Sequence, residues 1–492
     1  MEMPPKHVRF THTPMNFKNR EIRLLNIEPS SEPSSPIQIT IKHVNFGRHV
    51  DAFARCREEV AILEIERDHN AEEVDAIYDK FGQERLNFVP LSYTWGPESP
   101  AHDILVTSPD SRGWLTVRQN LYDFLRIRRN CDPDWFWIDQ ICINQGQNDE
   151  KSHQVSQMAE IYSTSDVEVW LGPEFEGSNE LVDLITRESV VSTQRPIPKL
   201  SVSEREMCAI IPTLRQFVHL PYWSRLWIIQ EIVLGDFVTI RIGSKTLSWY
   251  IFSSGWKRLE RAWTSLYITK EGEFSGQNFE GKVQSRIMSI RDLQGQQHQD
   301  WDDVGSLVLG AKCADVRDRA FGAMAMVHPS LRVFPDYSML SQDLLLKIVT
   351  AHAQYISKEH PKPIATDVDV SQDPEYRDIM VREFVQECLS TTEMWFLHLN
   401  DDDKNMIDPK YIRRRLQEIL PLFPPSFGCT IEGTWHFKSY LWYKVPNERS
   451  MRWRLARAGV EPLRRLSKRF KPAKKRLAVS APDSMFADSD ST

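Results

Sequence analysis

Cysteine is sparse and unpatterned. The seven residues Cys56, Cys131, Cys142, Cys208, Cys313, Cys388 and Cys429 are scattered over 492 positions, and no two are spaced C-x-x-C. That excludes a disulfide scaffold and the usual zinc-ribbon spacing. No run approaches 18 apolar residues, so no membrane-spanning helix is expected. The first twenty residues have no apolar core, so no signal peptide is expected. An excess of positive charge is absent too. Lys+Arg total 61 against Asp+Glu 68, a net charge of −7, which argues against sequence-specific nucleic-acid binding. Nor is there an H-E-x-x-H, G-x-S-x-G or G-x-G-x-x-G. A soluble intracellular protein is expected.

What is present is ordinary globular material: 41% hydrophobic, 26% charged, and rich in tryptophan with 15. Residues 1–20 are polar and basic and are expected to be disordered. Residues 21–87 predict two strands (21–27 and 37–44) and a helix over 51–80. From 88 the pattern becomes α/β, with strands ending at Tyr93, Asp139 and Trp170-Leu171-Gly172. Between them fall predicted helices at 115–129 and 150–162, the second capped by Asn148. WFWID (135–139) is a continuous apolar run of the kind a buried parallel strand needs. Residues 173–206 predict a polar insertion. Residues 207–234 predict a helix stopped by Gly235, with Ser224 as a cap, and 236–243 a strand. Together 88–243 predict a mainly parallel sheet flanked by helices. After it follow a mostly helical region (244–355), a linker (356–380), a mixed region (381–450) and a basic segment with a disordered tail (451–492).

Several motifs fail on inspection. Gly172 to Ser178 has P-loop spacing but lacks the lysine and carries two glutamates. Asp401 and Asp403 imitate a calcium loop, but Met406 stands where glycine is needed and Ile412 where a bidentate glutamate is needed. No metal site is expected. Cys142 is a single thiol in an apolar stretch, where an inert buried cysteine is the default.

In open α/β sheets ligands bind beyond the carboxyl ends of the strands. Tyr93 and Trp95, Asp139, and Asn144 with Gln145 all lie at such ends. They give an aromatic wall, a carboxylate and amides for one crevice. The alternative is that Asp139 and Asn144 only cap turns and the tryptophans are core. Glu231 lies in the apolar stretch WSRLWIIQEI, where a carboxylate is costly unless paired or used. Trp227 shares its helix face at i, i+4. Arg225 stands too far along that helix to be its local partner, so a salt bridge to another segment is the structural alternative.

The blocks LSYTWG (91–96), LTVRQNLYDFLR (115–126), FWIDQICINQGQNDEKSHQVSQMAEIYSTSDVEVWLG (136–172) and WSRLWIIQEI (223–232) together resemble the fungal heterokaryon-incompatibility (HET) domain. IRLLNI (22–27), DVRDRAFG (315–322) and PDYS (335–338) are similar to segments that flank it. The resemblance implies a flavodoxin-like sheet, because HET domains are remotely similar to Toll-receptor-type (TIR) domains. Some TIR domains cleave NAD with a glutamate on a helix patterned like Trp227 to Ile232, where Ile228 replaces a cysteine.

Two functions are implied. One is a signalling or interaction module of fungal non-self recognition and programmed cell death, with protein partners and self-association and no required cofactor. The other is an NAD glycohydrolase with Glu231 as catalytic carboxylate and NAD as substrate, bound by Tyr93, Trp95, Asp139, Asn144 and Trp227. Residues 451–476 carry eleven cations against Glu461 alone. They predict weak contact with anionic membrane, nuclear import of an otherwise cytoplasmic chain, or a solvated tail.

Overall fold

A computed structural model describes residues 4–5, 7–62, 86–131, 134–192, 202–270, 279–294, 307–308 and 311–359, with Tyr411, Arg414, Arg415 and Glu418. All belong to the first of two compact units, Met1–Tyr443. The second half of the helix expected over 51–80 lies outside the described residues. So do most of the linker, nearly all of the mixed region, and the basic segment with its tail.

Among the described residues nine strands make one sheet. They are β1 (Glu21–Ile27), β2 (Gln38–Asn45), β3 (Val89–Tyr93), β4 (Ala101–Thr107), β5 (Arg112–Arg118), β6 (Trp135–Trp137), β7 (Val167–Trp170), β8 (Val238–Ile242) and β9 (Lys245–Ser248). Their order is β5-β4-β2-β1-β6-β3-β7-β8-β9. The middle block β6-β3-β7-β8 is parallel throughout. There β7 is buried along its whole length, as in a strand covered on both faces, with its Glu168 paired to Arg241 of β8. The β1–β2 and β4–β5 pairs are antiparallel, as are the β1–β6 and β8–β9 pairings. The fold is therefore α/β with a mixed sheet, in which the parallel pairs expected within 88–243 form the middle block and the strands beside it add antiparallel pairs. Pro90 is tolerated in a central strand because it stands second in β3, where pairing passes from β6 to β7.

Helices flank the sheet: α1 (Phe46–Ile62), α2 (Gln119–Arg128), α3 (Asp139–Cys142), α4 (Asn148–Ser163), α5 (Ser178–Ser192), α6 (Glu204–Val218), α7 (Ile228–Val233), α8 (Trp249–Lys270), α9 (Phe279–Leu293), α10 (Asp318–Phe321) and α11 (Ser341–Glu359). Several elements differ from expectation. The helix expected at 115 begins only at Gln119, because Val117 faces the core from β5. Asn148 opens α4 rather than capping it, and its neighbour Gln147 makes no side-chain cap. The polar stretch 173–206 contains α5 and the start of α6, whose first turn is closed by a Ser203–Glu206 capping box. The linker's first residues, 356–359, complete α11.

The N-terminal segment, expected to be disordered, is tied down. Trp114 donates its backbone N–H to Val8 O (2.9 Å) and accepts from Phe10 N (3.0 Å). Its indole donates to Pro4 O. Further along, the His12 ring bonds Ile141 O at 2.8 Å, and Phe17 stacks on His153 with centroids 4.4 Å apart. This strap covers the outer edge of β5. It comes so close at Gly113 that a Cβ there would lie 2.6 Å from the Arg9 carbonyl carbon and Phe10 N. Gly113→Ala should therefore lift the strap and cost about 1–3 kcal/mol. Denaturant unfolding measures the cost, and faster tryptic cutting at Arg9 and Arg20 reports the lifted strap. Unchanged cutting would show that the contact does not hold the segment.

Candidate functional site

The carboxyl ends of β3 and β6 meet α7 around one guanidinium. The chain from α6 to α7 is not one helix. A 3-10 turn, Pro221–Ser224, ends in extended geometry at Arg225, and α7 starts three residues later. That break turns the Arg225 side chain back toward the helix that follows it. Its Nη1 donates to the Tyr93 carbonyl and lies 3.5 Å from the Glu231 carboxylate, while Nη2 lies 3.8 Å from Asp139. The distance along a continuous helix had excluded this partner; the break supplies it.

Glu231 is 1% exposed. Besides Arg225, it accepts a hydrogen bond from Ser92 of β3. Ser92 has one proton to give, so Tyr222, 2.7 Å away, donates to the Ser92 oxygen. Burial raises the Glu231 pKa to about 7, against the opposing pull of Arg225 and Ser92. Asp139 accepts from the Trp95 indole (2.9 Å) and from Gln140 N (2.7 Å). Burial raises its pKa as well, against Arg225. Burial of Arg225 works against its charge, but the two carboxylates more than offset that and raise its pKa.

The other expected residues divide. Tyr93 is fully buried and gives its hydroxyl to Gln140 (3.0 Å), so its ring faces protein rather than an opening. Trp95 is partly exposed, with Arg118 5.4 Å over its ring. Asn144 does not join them. Its side chain accepts from Gly146 N and its backbone N–H goes to Glu150, so it shapes a turn. Trp227 points elsewhere, to Asp318 at 3.3 Å. Burial pushes the Cys142 thiol up to about 12, which keeps it protonated and unreactive. Among the described residues no group of three His, Cys, Asp or Glu is placed to hold a metal. No helix among them is long and apolar enough to cross a membrane.

Comparison with known families gives the segment its place: residues 88–231 match the heterokaryon incompatibility protein (HET) family. The segment is a HET domain. Heterokaryon incompatibility protein 6, OR allele, of Neurospora crassa is 32% identical over 200 residues. That match covers 33% of this chain and 29% of the relative, so the chain spans under a third of the relative's length. No solved structure matches the chain.

The HET domain leans on segments outside the matched range. Arg23 of β1 forms a buried two-pronged pair with Glu150 of α4 (2.6 and 3.1 Å) and also donates to Cys142 O. Burial opposes the Glu150 charge, but Arg23 and the Asn144 N–H overcome it and hold its pKa below the ordinary value. Glu150 thus has a structural explanation beyond the helix dipole. On the other side, Asp318 of α10 accepts from the Tyr337 hydroxyl (2.6 Å), and Lys151 sits 3.8 Å over the Tyr337 ring. Burial, with the charge of Asp315, raises the Asp318 pKa to about 6. The flanking motifs that contain Arg23, Asp318 and Tyr337 are thus packed parts of the HET domain's surroundings. Sequence reasoning did not find Ser92, Tyr222 or Arg225. A serine in the apolar strand LSY and a cation beside WII were the available signals.

Proposed function

We propose that the chain acts in fungal non-self recognition, or vegetative incompatibility, as a signalling module leading to programmed cell death. On this reading its HET domain works through protein contacts and self-association, in the cytoplasm or, through the basic segment, the nucleus. The observation that carries it is the state of Glu231: buried, and held by Ser92 and Arg225 as a structural ion pair. Tyr93, one of the rings expected to stack on a nicotinamide or adenine, is buried as well.

One observation favours the second reading, a TIR-like NAD glycohydrolase. A carboxylate with its pKa raised to about 7 at the strand ends is the kind of group that active sites tune. Glu231 would then stabilise the oxocarbenium-like charge as the glycosidic bond breaks. Purified, concentrated full chain incubated with NAD decides. The signalling reading expects no loss of NAD from wild type. Loss that disappears in Glu231→Gln, at an unchanged melting temperature, would make the domain an enzyme.

A further inference from the structure

The connector Ser224–Trp227, which carries Arg225, is held from beyond the HET domain. Lys312 N donates to Ser224 O at 2.7 Å, and Leu226 N donates to Lys312 O at 2.9 Å, a short parallel bridge. Arg286 of α9 gives Nη2 to Arg225 O (2.9 Å) and Nη1 to Leu307 O (2.7 Å). Asp318 holds Trp227, and Gln294 donates to Gly235 O (3.0 Å) just past α7. The connector is thus fixed by Arg286, Gln294, Lys312 and Asp318, while its own arginine fixes Glu231 and Asp139.

Arg286 is an unusual clamp. It is 7% exposed, and among the described residues no carboxylate lies against it and its Nε has no acceptor. Burial alone pushes its pKa down to about 10. A cation buried against neutral carbonyls is costly, and a hydrocarbon of similar size would fill the space without that cost. Its two carbonyl bonds tie the connector to a segment that is distant in the chain. Such a tie is held by geometry yet released without leaving an unpaired anion behind.

We propose that Arg286, Lys312 and Asp318 form a latch on the Arg225 connector, and that drawing the latch away withdraws Arg225 and opens the Glu231–Asp139 pair to a ligand or partner. This rests on reading that pair as the working site of the HET domain. The region after the domain then has a regulatory role: it sets whether the strand ends are closed. Arg286 is a positioning residue, acting on the carboxylates only through Arg225.

Carboxyl labelling of the full chain with a water-soluble carbodiimide and glycine ethyl ester, read by mass spectrometry, tests this. Wild type should label neither Glu231 nor the equally buried Glu150. In Arg286→Lys one ammonium cannot span both carbonyls. Glu231 labelling should then rise at least tenfold while Glu150 stays protected, and amides of 224–235 should exchange with deuterium at least tenfold faster. Lys312→Pro, which removes the N–H given to Ser224 and fixes the backbone at that position, should act in the same direction and serves if Arg286→Lys does not fold. Glu231 as protected as in wild type in a folded variant overturns the latch, as does Glu150 and Glu231 labelling rising together. These readouts need neither NAD nor a cell-death response. An absent incompatibility phenotype beside released Glu231 would therefore count against the proposed function and not against the latch.

Discussion

Arg225→Met should cost about 3–5 kcal/mol of stability at pH 8, the usual range for removing one partner of a buried charge cluster. The variant leaves Glu231 and Asp139 facing one another without a cation, and the Tyr93 carbonyl without its donor. Much of that loss should return on acidification to pH 5, because protonation neutralises the stranded carboxylates. The sign follows from the raised pKa. Glu231 titrates at about 7 in the folded chain against 4.5 unfolded, so its stabilising contribution is full below 4.5 and is lost as pH rises through 7. The rise from 4.5 to about 7 is equivalent to about 3 kcal/mol. Asp318, raised to about 6, acts in the same direction at lower pH. Urea unfolding of wild type and variant at pH 5 and pH 8 gives both quantities. A loss under 1 kcal/mol at pH 8 would mean that Arg225 does not neutralise the two carboxylates in solution.

Arg23→Met should be as damaging, although the wild-type carboxylate it holds has the opposite pH dependence to Glu231. It strands Glu150, which keeps only the Asn144 N–H, and it unties β1 from the turn after α3. About 3–5 kcal/mol is again expected. Arg23→Met combined with Glu150→Met should recover most of it, since an apolar pair leaves no buried charge. In wild type the Glu150 pKa is lowered, so its contribution is present above the unfolded value of 4.5 and is lost as pH falls through the folded one. A double-mutant cycle in urea at pH 7 measures the coupling, and additive losses would remove the pair as an anchor. The two clusters therefore respond to acid in opposite senses, Glu231 favouring the fold and Glu150 weakening it.

How far these features were legible depends on whether they are local. The parallel block was legible because WFW is apolar without interruption, as a strand covered on both faces requires; in VEVW the buried Glu168 breaks that pattern and is paired with Arg241 of β8. The antiparallel β1–β6 pairing was not, because which strands become neighbours is decided by packing between distant segments. Val117 fits both a helical stripe with Leu121 and an alternating strand, and the sheet edge decided for the strand. The start of α6, expected only at 207, was missed although Ser203-x-x-Glu206 is a cap signal within the polar stretch. Glu231 and Asp139 stood out as carboxylates in apolar surroundings. Their common partner did not, because the chain is extended at Arg225, after the 3-10 turn Pro221–Ser224, and the helix with Glu231 starts only at Ile228.

The strap over β5 also limits how copies of this chain can join. A sheet with two open edges can add neighbours head to tail without end. Here one border is already taken at Trp114 by Val8 and Phe10, and among the described residues the sheet finishes at β9 on the other. Strand-to-strand joining would then have to use β9 from both copies, an arrangement with two-fold symmetry that is complete at two. Running growth of β9 onto β5, the route to a filament, is closed while the strap stays in place.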